Sequence, residues 1–331
     1  MKKEIKINFL RQGGQFDKEN NFFTNLLGKR YNVVLSDKPD YVFFSAYTFP
    51  ESFNFKEQNP QKKSLFKKIF FPILKRYIMK YFVWFLVSKK IIGKTKIPEV
   101  KGNFVKIFYT FENVVPDMNK CDWAFSFCYE DEFKHPKHMR LPYYFVAAKG
   151  NSLIKDVKKM NPKKDKFCNF IYRNHIPFRI KFFKKLQKYK GVDAPGECMR
   201  NMEYIDNRDK MNWLELQRKY LKPYKFSIAF ENSSSSGYTT EKLIQPMLAG
   251  SIPIYWGNPE VGRDFNKKSF LDLQDFKSME DLIKRIIEID NDNEEYKKIL
   301  KEPWLKNNKP NKWMDKKKIL ERLIKIIESK K

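Results

Sequence analysis

The chain has 331 residues, 42% hydrophobic and 16% aromatic, so it has room for two ordinary domains and enough apolar content to exclude wholesale disorder. Lys and Arg outnumber Asp and Glu by 67 to 39, a formal net charge of +28, which invites nucleic acid, an anionic membrane surface or a phosphate-bearing small molecule as partner. The four cysteines, Cys121, Cys128, Cys168 and Cys198, make no CxxC pair and no zinc spacing, which argues for reduced thiols in a cytosolic protein.

The opening MKKEIKINFL has the lysines of a signal peptide, but its apolar run is too short and strand-like. KINFL predicts a strand, FFTNLLGKRY a short amphipathic helix, and YNVVLS and DYVFFSA two further strands. VKIFYTFEN is a further apolar run, and DWAFSF follows after a Pro-containing loop. Apolar strands alternating with helices predict an α/β fold with a parallel sheet covered on both faces. Residues 49–98 break the pattern by mixing bulky apolar residues with Lys and Arg. The longest unbroken apolar run there, 81–87, is too short to span a bilayer. Basic residues beside Trp84 and several phenylalanines suit an interfacial helix on anionic lipid. An inserted helical pair with snorkelling lysines suits them equally.

The second half begins near Lys164. DKFCNFIYR predicts a strand, IPFRIKFFKKLQKY a basic helix and DKMNWLELQRKYL another helix. FLDLQDF is expected as the last strand, followed by helices at MEDLIKRIIEID and NEEYKKILKEPW and a charged amphipathic helix over 312–331. The expected division is 1–155 with the basic insert at 50–98, then 156–308, then the C-terminal helix at 309–331. No internal repeat is present.

The segment FSIAFENSSSSGYTTEKLIQPMLAGSIPIYWGNP, 226–259, carries the chemistry. Phe226 to Phe230 predicts a buried strand with Glu231 and Asn232 at its carboxyl end, where open α/β sheets bind ligands. Ser233 to Gly237 supply hydroxyls and backbone N–H groups, and Thr239 or Thr240 can cap the next helix. Glu241 and Lys242 fall in its first turn, where free N–H groups and the helix dipole favour an anion. An ordinary capped helix with a solvated Lys242 satisfies the same pattern. Pro246 is tolerated inside the helix with slight bending, and Gly250 ends it.

FEN, GYTTEK and IPIYWGNP, in this order and spacing, resemble the donor-binding signature of the α-1,3/4-fucosyltransferases, glycosyltransferase family 10. KIFYTFENVVPDMNKCDWAFSF and the following RLPYY resemble the family's N-terminal motif. The similarity runs roughly over 105–276 and leaves the insert and the C-terminal tail unmatched. It implies a GT-B arrangement, two Rossmann-like domains facing a cleft, with acceptor on the first and GDP-fucose on the second. Glu112 falls at the family's proposed general base, and Glu241 joins it as a catalytic candidate. Arg179, Asn232, Tyr238, Glu241 and Lys242 match donor-contacting positions. The FIYRNHIPFR run departs from the family pattern, which makes Arg173 a rival to Arg179 for the phosphates.

The resemblance implies inverting transfer of L-fucose to a GlcNAc hydroxyl, O3 of a Galβ1-4GlcNAc unit, forming a Lewis-type product. The implied partners are GDP-fucose and a glycan acceptor; the basic insert separately suits peripheral contact on the inner face of the cytoplasmic membrane, where the acceptor can be lipid-linked. Another nucleotide sugar on the same fold is the nearest alternative. A nucleic-acid binder is disfavoured, because a uniform lysine excess is no footprint. No cofactor and no dedicated metal cage are expected, although divalent ions can assist diphosphate binding from solution. Asp290-Asn291-Asp292 has a DxD pattern but lies between two predicted helices, and the proline between His135 and His138 argues loop with no third ligand evident.

Overall fold

The computed structural model describes residues 2–12, 16–46, 99–149, 153–161, 163–205 and 213–329. The basic insert read at 50–98 lies outside the described residues. The described strands form two wholly parallel sheets, as the apolar runs predict. The first contains β1 (Glu4–Leu10), β2 (Asn32–Leu35), β3 (Tyr41–Phe44), β4 (Val105–Phe108), β5 (Trp123–Ser126) and β6 (His138–Arg140). Its order is β2-β1-β3-β4-β5-β6. The second contains β7 (Lys166–Asn169), β8 (Val192–Asp193), β9 (Tyr224–Phe230), β10 (Ile252–Trp256) and β11 (Leu271–Asp272). Its order, β11-β10-β9-β7-β8, reverses direction between β7 and β9. Open α/β sheets hold their ligands beyond the carboxyl ends of the strands at such a reversal.

Side-chain alternation explains which face each helix covers. Phe226, Ile228 and Phe230 of β9 join a core built by α3 (Pro177–Leu186), α6 (Met279–Asn291) and α7 (Asn293–Lys301). On the opposite face, Ala229 meets Leu243, Ile244 and Met247 of α5 (Glu241–Ala249). The short α2 (Tyr143–Ala147), in the chain just after the first sheet, contributes Tyr144 and Ala147 to that second-half core. The first sheet packs on α1 (Phe22–Leu27), whose amino end is closed by a capping box between Asn21 and Thr24. α4 (Trp213–Leu221) packs near α5 through Leu221 and Ala249.

The C-terminal helix α8 (Lys316–Glu328) returns to the first sheet. Ile319, Leu323, Ile326 and Ile327 form one apolar stripe at helical spacing and bury against Ile5, Ile7, Phe23 and Leu27. Tyr41 donates its hydroxyl to the Ile327 carbonyl at 2.7 Å.

Three readings change, and one strand was missed. His138, expected in a loop, lies in β6, where its Nε2 is 2.8 Å from the Ser126 hydroxyl and its ring meets Phe133 edge-on. The run 165–173 is a strand only to Asn169, and FLDLQDF yields two strand residues before the 3₁₀ turn Leu273–Asp275, capped by the Asp272 side chain. The strand β8 was invisible because two residues carry no period.

The halves meet through buried charge. Arg140, at the end of β6, forms a two-pronged pair with Asp264 at 2.8 and 3.2 Å, both side chains fully buried. Its Nε donates to the Phe127 carbonyl and its Nη2 to that of Gly237. The guanidinium lies between the rings of Tyr129 and Trp313, 4.1 and 4.2 Å from their centroids. Tyr129 also donates to Asp264. Gly237 has φ +79°, and a Cβ there would come 2.3 Å from the Phe127 carbonyl oxygen, so glycine is required on both grounds.

Removing one partner strands the other charge. Asp264→Asn is expected to cost about 3–5 kcal/mol, read from the urea midpoint. Arg140→Met combined with Asp264→Leu should cost less than the two single changes summed; strict additivity would remove the pair from its role as the lock.

Candidate active site

The site grows from the start of α5. Thr240 is its N-cap, with extended backbone and a hydroxyl that accepts from the Lys242 N–H. The same residue donates its N–H and hydroxyl to Glu231 at 2.8 and 2.9 Å. Glu231 is fully buried at the end of β9, and its side chain fills the space over Gly257, where a Cβ would lie 2.4 Å from its Cγ. Lys242 pairs with Glu241 at 2.9 Å and with Glu231 at 3.5 Å. Helix α5 runs through Pro246 and stops at Gly250 in the left-handed conformation, as the sequence predicts.

Arg179, in the first turn of α3, crosses the point where the second sheet reverses. Its Nη2 donates to the carbonyls of Phe230 and Glu231 at 3.0 Å each and to the Asn232 side-chain oxygen at 2.9 Å. The guanidinium lies 3.7 Å from the centroid of the Tyr172 ring, whose hydroxyl in turn bonds the β9 backbone. Arg179 is therefore buried and fixes Asn232, whereas Arg173 is half-exposed and 3.9 Å from Glu197.

Glu112 comes from the other half, in the loop after β4, and both of its neighbours are tied across the cleft. The Phe111 carbonyl accepts from the Tyr238 hydroxyl at 3.3 Å, and the Asn113 amide donates to the Ser233 hydroxyl at 2.8 Å. The Glu112 N–H is held by the Thr110 hydroxyl. Tyr238 itself is buried, edge-on to Phe127. The loop serines expected to face a ligand are engaged with protein: Ser234 donates to Gly257, Ser235 to Ser234 and Ser236 to Glu132.

Three carboxylates thus surround Lys242. Burial raises the Glu112 pKa; Lys242 opposes this and Glu241 adds to it, leaving the group above an ordinary glutamate. Burial likewise raises Glu231, against Lys242 and Thr240. Burial acts upward on Glu241 too, but the Lys242 charge and hydrogen bonds outweigh it and hold the group ionised. Lys242 is disfavoured as a cation by burial, yet Glu241 and Glu231 raise it well above its ordinary value. Tyr143, stacked on Phe111 at 4.4 Å, also faces all three carboxylates; burial first and then their charge push its pKa up.

The fold brings Glu112, Arg179, Asn232, Tyr238, Glu241 and Lys242 to one cleft. Tyr143, Tyr172 and Asn258 were missed as members. Asn258, in the GNP run, accepts from the Gly237 N–H and donates to Thr239. The remaining motifs have structural work. Asp290 pairs with Lys190 and Lys225, and Asp292 caps α7. Among the described residues no group of three or more His, Cys, Asp or Glu is placed to hold a metal ion.

Comparison with known proteins identifies the family and the fold. Residues 160–327 match the family described as Glycosyltransferase family 10 (fucosyltransferase) C-term, and residues 78–147 match the Alpha-(1,3)-fucosyltransferase FucT N-terminal domain. Alpha-(1,3)-fucosyltransferase FucT of Helicobacter pylori is 30% identical over 218 residues, covering 55% of this chain and 43% of that protein. The protein of Acanthamoeba polyphaga mimivirus named "Putative fucosyltransferase R654" is 34% identical over 185 residues, 54% of this chain and 31% of its own length. The chain spans less than half the length of these curated relatives. A crystal structure of an alpha1,3-fucosyltransferase with GDP-fucose superposes with a TM-score of 0.70 at 23% identity, covering 100% of this chain and 92% of the other, so the two-sheet GT-B fold is shared.

Thr240 joins cap and carboxylate, and both should fail together when its hydroxyl is lost. Thr240→Val is expected to lower stability by about 2–3 kcal/mol, combining a lost N-cap with an under-satisfied buried acceptor. Thr240→Ser should restore most of it in urea denaturation; equal losses in both variants would refute the hydroxyl's role.

Proposed function

This chain belongs to glycosyltransferase family 10, the fucosyltransferases, and we propose that it transfers L-fucose from GDP-β-L-fucose, with inversion, to a glycan hydroxyl. The observation carrying this reading is the placement of Glu112, from one half, beside the Glu241–Lys242 pair of the other. Its neighbours Phe111 and Asn113 are bonded across the cleft, which supports the reading.

In the proposed reaction the acceptor hydroxyl attacks the anomeric carbon from the face opposite GDP. The new carbon–oxygen bond forms as the bond to the β-phosphate oxygen breaks, and GDP departs with the electron pair. Glu112 takes the hydroxyl proton, and its raised pKa makes it a stronger base than an exposed glutamate. Lys242 and the positive end of the α5 dipole stabilise charge growing on the leaving diphosphate. Arg179 positions Asn232 and the end of β9 beside the donor. Glu241, held ionised, accepts hydrogen bonds from sugar hydroxyls and stabilises positive charge developing on the ring. The acceptor we propose is O3 of GlcNAc in a Galβ1-4GlcNAc unit. A relative from mouse, 27% identical over 168 residues, is named for 3-alpha-L-fucosyl transfer to 4-galactosyl-N-acetylglucosaminide, which supports that choice.

The reading extends to a cytoplasmic enzyme resting on the inner face of the membrane. Lys188 and Lys284, with Glu280 and Glu288 beside them, rim a groove between α3 and α6 floored by Ile283 and Ile287, and Lys181 and Lys184 line an adjoining hollow along α3 with Ile180. Among the described residues no helix is long and apolar enough to cross a membrane. Cosedimentation with phosphatidylglycerol vesicles, weakened by replacing the four lysines with glutamine, is the expected result; recovery wholly in the supernatant would reject the contact.

Glu112→Gln should lower kcat at least ~100-fold while GDP affinity is retained, and Lys242→Ala should weaken GDP binding directly. Equal loss of GDP binding in the Gln variant would remove the base assignment. Because the base acts ionised, kcat/KM should fall as pH drops through a value above the 4.5 of an ordinary glutamate. A profile flat to pH 4 would contradict this.

A further inference from the structure

Glu231 carries a charge that the proposed chemistry does not use. It is fully buried and receives two hydrogen bonds from Thr240, with Lys242 3.5 Å away. A buried carboxylate needs a counter-charge, and Lys242 supplies it while also pairing with Glu241 at 2.9 Å. The lysine that faces the proposed diphosphate is therefore already shared between two carboxylates. An arriving diphosphate must share Lys242 with them, and a departing one leaves the cation compensated. Gly257 fits the same plan, since any side chain there would meet the Glu231 Cγ at 2.4 Å.

We propose that Glu231 is a positioning residue that sets the hold on nucleotide: its carboxylate fixes the start of α5 through Thr240 and weakens the grip of Lys242 on diphosphate, so that GDP can leave. This rests on the reading of the cleft as a GDP-sugar site. Glutamine at this position has nearly the same shape, and its amide oxygen still accepts from Thr240, but it frees Lys242 of one carboxylate. A purely structural role predicts looser nucleotide binding on any change at this position; the charge role predicts the opposite sign.

The test is GDP titration by calorimetry on the full-length wild-type chain, Glu231→Gln and Glu231→Ala, with steady-state transfer kinetics alongside. Glu231→Gln should bind GDP about fivefold more tightly, the size of a partly buried charge pair, with a lower KM for GDP-fucose and a lower kcat as release slows. Glu231→Ala, which also loses both Thr240 bonds, should bind GDP less tightly than the glutamine variant. Unchanged or weaker GDP binding in a folded Glu231→Gln overturns the inference and leaves the donor site standing. Failure of the wild-type chain to bind GDP overturns the donor reading itself. Should the glutamine variant not fold, Glu231→Asp withdraws the charge from Lys242 by one methylene: tighter GDP supports the inference, and unchanged or weaker GDP overturns it.

Discussion

The buried pair of Arg140 and Asp264 is the constraint on which the rest of this structure depends. Each residue alone would be an expensive buried charge, so the two sheets are held together wherever these side chains meet. The pair also fixes the loop of the active site directly, because the same guanidinium bonds the carbonyls of Phe127 and Gly237. Phe127 belongs to one half and Gly237 to the other, and glycine's missing Cβ lets them touch. The C-terminal helix adds a second tie by returning to the first sheet and burying four isoleucine and leucine side chains there.

From that lock the chemistry follows by short steps. Gly237 precedes Tyr238, which bonds Phe111; Phe111 precedes Glu112. The proposed base and the proposed leaving-group cation are thus set by nearby backbone positions tied across one interface. On the donor side, Glu231, Thr240 and Lys242 form a chain of hydrogen bonds and ion pairs that orders the start of α5. Burial of this cluster raises the pKa values of Glu112 and Glu231, with Lys242 opposing the shift and Glu241 adding to it. Stability alone does not favour that arrangement; the proposed binding and release of a diphosphate would benefit from it.

Much of this was legible in the sequence, because strong local signals encode it. The strand at 226–230, the cap at Thr240, the stop at Gly250 and the strand at 252–256 all follow from period, capping and glycine chemistry. The six candidate residues converge because they sit at helix starts and in the loops that follow strands, where parallel sheets gather ligand groups. What was not legible is long-range. Nothing near Arg140 marks Asp264 as its partner 124 residues away, and two-residue strands such as β8 carry no period at all. The engaged serines could not be foreseen either, since a hydroxyl reads the same whether it meets a ligand or a neighbouring domain. Tyr143 stood in a recognised run, RLPYY, but only the fold turns it towards the carboxylates.

The central claim is that the two halves act on one donor, a base from the first activating the acceptor while the second holds the diphosphate. Incubating the protein with GDP-β-L-fucose and Galβ1-4GlcNAc and reading the product by NMR tests it most directly. The account predicts a fucose in α configuration on O3 of GlcNAc, with release of GDP. Fucose transferred with retained β configuration, or no transfer by a folded protein that binds GDP, would contradict it.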